Sequence, residues 1–195
     1  MSIKKLYYYI RLCKFLPHLM VYHCFSDRKL LDYERDMWLE KIGFIPERGT
    51  MGFLKLLDGY PEYRTLFYWR TNARRLSRWF PGQINLYIPM ESNDVGKGLM
   101  IWHGYSTVIN AQRIGENFQV WQNVTIGKKT TRTNNDKPVI GDNVSICTGA
   151  VCVGEIEVGN NVVIGANATV TKNVPNDTVV VNQTVRYLHK KNDSI

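Results

Sequence analysis

The sequence predicts a parallel β-helix preceded by a small helical domain. An aliphatic residue recurs at every sixth position, at Ile114, Val120 and Ile126, and again at Ile140, Ile146, Cys152, Val158, Ile164 and Val170. Gly follows that beat at Gly115, Gly127, Gly141, Gly159 and Gly165. Four places after each beat stands a small or aliphatic residue: Val124, Val144, Ala150, Ile156, Val162, Ala168 and Val174. The stretch before the beat carries helix-like apolar spacing instead. Self-similarity at a fixed period marks a solenoid.

A hexad suits one short strand and a corner, and three hexads make a triangular coil. The beat residue points inward and stacks on its equivalent in the next coil, each burial contributing roughly 1.5–3 kcal/mol. Gly after the beat permits a tight corner or a positive φ. Asn143, Asn161 and Asn167 suit the same turns because Asn tolerates the left-handed region. A sandwich of short strands predicts turn signals every ~8–12 residues, which this spacing contradicts.

Residues 1–80 are expected to form a cap of three or four helices. Leu30, Leu31, Tyr33, Met37, Trp38 and Ile42 recur at helical spacing, and Phe53 to Leu76 follow suit around a break at Gly59 and Pro61. Such a cap shields the open first coil. Phe80-Pro81-Gly82 marks the boundary, and the β-helix is expected over 81–182. The polar stretch 128–139 interrupts the beat and reads as an inserted loop. The tail, 183–195, is polar.

The 195 residues are 44% hydrophobic, with a formal net charge of +8. No run of about 18 apolar residues occurs, so no membrane span is expected. The N-terminus reads as a helix packed on its own domain; the alternative is a peripheral helix lying on a membrane. Cys13, Cys24, Cys147 and Cys152 form no CxxC pair, which favours a reducing cytoplasm. Basic residues cluster at Arg70, Arg74, Arg75 and Arg78, and at Lys128, Lys129 and Arg132. No helix-turn-helix, zinc or RNP-like motif points to nucleic acid. An anionic cofactor is the more specific use for the second cluster.

The segments IWHGYSTVINAQRIGENFQVWQNVTIG (101–127) and PVIGDNVSICTGAVCVGEIEVGNNVVIGANATVTKNVP (138–175) resemble the hexapeptide-repeat acyltransferases, and within them the serine acetyltransferase group. YPEYRTLFYWR (60–70) is a weaker likeness. The resemblance implies a left-handed coil, an exception to the usual right-handed crossover. It implies a homotrimer with active sites between subunits, and acetyl-CoA as co-substrate with no metal. His103, in the segment matching the family's catalytic histidine, becomes the general base for direct attack of an alcohol on the thioester, a task suited to imidazole near neutral pH. A γ-type carbonic anhydrase shares the solenoid but needs three histidines, and one lies in these coils.

The group that orients such a base matches Asn85, Glu91 or Asp94, and the sequence does not choose among them. Cofactor contacts carry over to Gly127, Lys128, Lys129, Thr148, Gly149, Ala150, Ala166 and Lys172. Two departures concern the acceptor. The family has an aspartate before the histidine, where Trp102 stands here. It has an Arg-His pair before the proline that restarts the coils, where Asp136-Lys137 stands. Lys does not replace the bidentate grip of Arg on a carboxylate. Trp102, Tyr105 and Trp121 could instead stack on a sugar ring, or cover a subunit interface. The end Val181-Asn182-Gln183-Thr184 also departs from the family pattern. The expectation is therefore O-acetylation of a sugar or polysaccharide precursor, with serine O-acetylation for cysteine synthesis as the alternative. A non-catalytic scaffold is the reading from a different class.

Overall fold

The computed structural model describes residues 10, 12–43, 49–129 and 136–182. Four α-helices can be bounded among the described residues before the strands: α1 (Leu16–Cys24), α2 (Arg28–Lys41), α3 (Gly49–Gly59) and α4 (Pro61–Thr71). Asp27 starts α2 by accepting from the Leu30 amide at 3.2 Å. Leu31, Glu34, Arg35, Trp38 and Leu39 form the buried side of α2. Pro61 opens α4, and Asn72 ends it in the left-handed region at φ 54. The helices share an aromatic core. Tyr22 stacks on Phe53 at 4.2 Å between ring centroids, Phe53 meets Phe67 at 5.1 Å, and Trp38 meets Tyr63 at 5.2 Å. A short 3-10 helix, Arg74–Arg78, leads out of this domain.

Thirteen short strands follow among the described residues, all paired in parallel. One face holds β1 (Leu86–Tyr87), β3 (Thr107–Ile109), β6 (Thr125–Gly127), β9 (Val151–Val153) and β12 (Thr169–Val170). The second holds β4 (Arg113–Ile114), β7 (Val139–Ile140) and β10 (Glu157–Val158), extended by bridges at Val95 and Val174. The third holds β2 (Met100–Ile101), β5 (Gln119–Val120), β8 (Ser145–Ile146), β11 (Val163–Ile164) and β13 (Val179–Val180). Ile101, Val120, Ile146, Ile164 and Val180 are in register, so the beat is a column of stacked side chains. Their inward neighbours Val124, Val144, Ala150 and Val162 are fully buried. The beat starts earlier than Ile114: Val95 and Ile101, six apart, are both buried, and both pair with the next coil.

Four of the glycines after the beat, Gly115, Gly141, Gly159 and Gly165, serve close approach rather than positive φ; Gly127 has open space around it. A Cβ on Gly115 would lie 2.6 Å from the Gly141 carbonyl carbon, and one on Gly141 would lie 2.9 Å from that of Gly159. Asn fills the left-handed positions: Asn117, Asn143 and Asn161 have φ of 57, 55 and 56. Their carboxamides form a ladder along the corner between the second and third faces. Asn117 donates to Asn143, Asn143 to Asn161, and Asn161 to Asp177, at 3.1, 3.1 and 2.9 Å. Tyr33 of α2 caps the ladder, its hydroxyl donating to Asn117 at 2.6 Å.

The two parts meet through Arg70. The sequence clusters Arg70 with Arg74, Arg75 and Arg78; those three are exposed, but the structure buries Arg70, at 4% exposure. It pairs with buried Glu34 at 2.7 Å and donates to the carbonyls of Ser92, Val95 and Gly96 at 2.8, 2.8 and 2.7 Å. The Trp38 and Trp69 indoles donate to the Leu99 and Met90 carbonyls, each at 2.9 Å. Glu34 in turn accepts from the Leu99 amide at 3.3 Å. Burial pushes the Glu34 carboxyl upward, and Arg70 opposes it.

Residues 130–135 of the inserted loop, with Arg132, lie outside the described residues, as do residues 1–9 and the tail 183–195.

Two predictions follow from this packing. Arg70→Met leaves the Glu34 carboxylate buried and unpaired, so urea denaturation should show a loss of about 3–5 kcal/mol. His18 is buried among Phe15, Phe67 and Phe80, with Nε2 at 2.9 Å from the Tyr68 hydroxyl. Burial, aided by Arg64, pushes its pKa down to about 4. Below about 6.5 the unfolded chain takes the proton first, so stability should be full above that pH. It should then fall by about 3 kcal/mol as pH drops toward 4. Between pH 7 and pH 5 wild type should lose more stability than His18→Phe, which has no imidazole to protonate at this position; an equal loss in both would refute the assignment.

Candidate active site

His103 sits where one coil is longer than its neighbours. Ile101 pairs with Val120 and Ile109 with Ile126. Eight positions separate Ile101 from Ile109 but six separate their partners Val120 and Ile126, so two extra residues enter this corner. They bulge outward. His103, Gly104 and Ser106 all have positive φ, at 62, 30 and 51. A histidine in this region is uncommon, and such backbone often marks a functional site. A Cβ on Gly104 would stand 3.1 Å from Ile101 Cγ2 and 3.2 Å from Leu86 Cδ2, so little space remains beneath the bulge. The His103 side chain is exposed.

Thr107 anchors the bulge, a role the sequence reading missed. The register puts it level with Val124, an inward position, and it is fully buried. Its hydroxyl lies 3.1 Å from the Tyr105 carbonyl and 3.2 Å from that of Trp121, and donates to that pair. The available signal was the broken spacing between Ile101 and Ile109.

Trp102 and Trp121 are successive rungs of this corner. Their rings stack with centroids 5.9 Å apart and 22° between planes. Trp102 Nε1 donates to Gln119 at 3.3 Å. Tyr105 is 57% exposed. The expected acceptor residues thus gather around His103.

The other expected residues divide between two corners. Asn85 precedes β1 at the corner of His103, and its carbonyl accepts from the Thr107 amide at 3.1 Å. Thr148, Gly149 and Ala166 lie on later rungs of this corner, before β9 and β12. Ala150 is next to them, but it is fully buried in the core, its amide donating to the Cys147 carbonyl and its carbonyl accepting from the Thr125 amide. Glu91 and Asp94 lie at the next corner, between β1 and Val95. There they line a groove of about 320 Å³ with Gln112 and Lys137. The structure does not bring them to His103. Gly127, the last residue of β6, leads into that second corner, where Lys128 and Lys129 lie, and Lys172 lies there too, after β12. The histidine and the lysines therefore flank the outer side of one face, across β3, β6, β9 and β12. Among the described residues no group of His, Cys, Asp and Glu converges to hold a metal ion.

This geometry defines a class: a hexapeptide-repeat β-helix, capped by helices, with a histidine on an enlarged corner. No protein-family model matches the chain. Over 108 residues, 55% of this chain and 49% of the relative, it is 40% identical to a serine acetyltransferase of Staphylococcus epidermidis. It is 39% identical over the same length to one of Staphylococcus aureus. The chain spans about half the length of these curated relatives. Its fold matches serine acetyltransferase isoform 3 of Entamoeba histolytica in complex with cysteine, at TM-score 0.61 and 23% identity, over 90% of this chain and 74% of that one. It also matches serine acetyltransferase of Neisseria gonorrhoeae, at TM-score 0.62 and 24% identity, over 83% and 68%. The coil is the left-handed β-helix of those structures. The chain is thus a hexapeptide-repeat β-helix, similar over these 108 residues to serine acetyltransferases.

Removing the Thr107 hydroxyl tests the anchoring of the corner. Thr107→Val should lower stability in urea by about 1 kcal/mol, whereas Thr107→Ser should stay near wild type.

Proposed function

We propose that this chain transfers an acetyl group from acetyl-CoA to an acceptor hydroxyl, with His103 as general base. The observation that carries the reading is the two-residue bulge that holds His103 outside the coil, anchored by buried Thr107. The identity with serine acetyltransferases supports it. A neutral imidazole nitrogen takes the hydroxyl proton as the oxygen attacks the thioester carbonyl. The tetrahedral intermediate then expels the thiolate of coenzyme A, which recovers the proton from the imidazolium. Backbone N–H donors of the corner would stabilise the oxyanion. Lys128, Lys129 and Lys172, across the face, suit the phosphates of the co-substrate.

For the acceptor, the comparisons favour serine over the sugar expected from the sequence. The curated relatives are named for serine, and a solved neighbour was crystallised with serine. The sugar reading keeps one specific observation, the stacked Trp102–Trp121 pair beside His103. A homotrimer fits the exposure of His103 in a single chain, because a neighbouring subunit would enclose it. A cytoplasmic location fits the use of acetyl-CoA.

Thiol release from acetyl-CoA, measured with serine, homoserine and nucleotide sugars, separates the acceptors. Activity with serine alone supports the first reading and ends the second. His103→Ala should lower the rate about 10²–10⁴-fold with unchanged melting; full activity in that variant would overturn the mechanism.

A further inference from the structure

The segment from Ile10 to Cys24 buries one side and leaves the other bare. Leu12, Phe15, His18 and Tyr22 face the aromatic core. On the opposite side Ile10, Leu16 and Met20 are 61%, 56% and 71% exposed, and Cys13 and Cys24 are exposed with them. The spacing of three to four residues makes these a single stripe. Large apolar side chains lined up in water mark a surface that meets something.

A second patch flanks the same segment on its Lys14 side. Phe15 packs on Phe80 at 4.8 Å between centroids, and the Lys14 ammonium lies 5.5 Å from the Phe80 ring. Immediately before Phe80 come the 3-10 helix Arg74–Arg78 and Trp79. Trp79 is 79% exposed. Arg74, Arg75 and Arg78 are exposed, and none pairs with a carboxylate among the described residues. Lys14 is held by Asp58 at 2.8 Å, so the free cations here are the arginines.

Charge selects the occupant. Residues 1–26 contain Lys4, Lys5, Arg11 and Lys14 and neither Asp nor Glu; the first carboxylate is Asp27, beyond the far end of α1. Two copies of the chain joined through this surface would bring like charges together. An anionic bilayer offers negative headgroups to the arginines and acyl chains to the stripe, and a Trp suits the boundary between them. Among the described residues no helix is long and apolar enough to cross a membrane, so the contact lies along the surface. We infer that the Ile10–Leu16–Met20 stripe and the Arg74–Trp79 turn form one docking face for an anionic lipid surface. This is independent of the acetyl-transfer reading.

Co-sedimentation of the full chain with vesicles tests it. The chain should bind phosphatidylglycerol–phosphatidylethanolamine vesicles, more weakly as salt rises, and should not bind phosphatidylcholine vesicles. The Leu16→Ser/Met20→Ser double variant should lose about ten-fold or more in partition, with unchanged melting, because both positions are exposed. Arg75→Gln/Arg78→Gln should weaken binding and flatten its salt dependence. Absence of binding to anionic vesicles, or equal binding by wild type and the double variant, would overturn the inference. So would a fall in the double variant's sedimentation-equilibrium mass with vesicle binding intact, which would make the stripe a contact between copies.

Discussion

The first coil of a parallel solenoid has carbonyls with nothing to accept from. In this chain, as in any parallel pairing, alternate residues face the next coil and the one behind; Lys97 and Tyr105 of the first coil accept from Asn117 and Asn123 of the next. Gly96 gives its proton to Ile114, Met100 to Phe118 and Trp102 to Val120. The remaining carbonyls, at Met90, Ser92, Val95, Gly96 and Leu99, are met by the helical domain. Left buried and unpaired, each would cost about 1–3 kcal/mol. Arg70 answers Ser92, Val95 and Gly96, and the two indoles answer Leu99 and Met90. Only a guanidinium has enough donors, fixed in a fork, to meet three carbonyls and a carboxylate at once. Glu34 balances the charge and accepts from the same coil. The cap is thus a substitute for a preceding turn of the helix, made of side chains instead of strand.

That substitution fixes the coil from which the His103 bulge springs. β2 begins just after Leu99, whose amide and carbonyl are both held by the cap, and the bulge begins just after β2. Functional loops are best placed on rigid supports. On the opposite corner Tyr33 extends the same anchoring into the asparagine ladder, which runs to Asp177. The regular coils therefore act as a fixed frame, and the irregularity is confined to two corners.

The repeat was legible because stacking is periodic: every inward residue meets an equivalent one coil away, and the beat at Ile140, Ile146 and Cys152 records this directly. The asparagines were legible for a similar reason, since few other side chains accept their backbone angles. Arg70 was not. A run containing Arg70, Arg74, Arg75 and Arg78 looks solvated, and burial of one member depends on Glu34, far away in sequence. Nor was the division of site residues between corners. Twelve positions along a hexad solenoid advance the chain by two faces, so Glu91, close to His103 in sequence, lies at another corner. The bulge itself was half legible, because the spacing from Ile101 to Ile109 breaks the beat.

Where the beat breaks also bears on chemistry. An inward residue is committed to stacking, and an outward residue of a two- or three-residue strand has little freedom, so catalytic groups must sit at corners. Here the enlarged corner at 102–106 and the inserted loop after Gly127 flank the same face, at neighbouring coils. Under the proposed function this arrangement divides the work. A long co-substrate with a thioester at one end and phosphates at the other needs a base at one edge and cations at the opposite edge. His103 and the lysines meet that demand without any change to the core. The acceptor then has to approach from the Trp102–Trp121 side of His103, since Leu86 and Ile101 close the space beneath Gly104. Under the same proposal acceptor choice falls to those two indoles, and changes there would alter it while every coil stays in register.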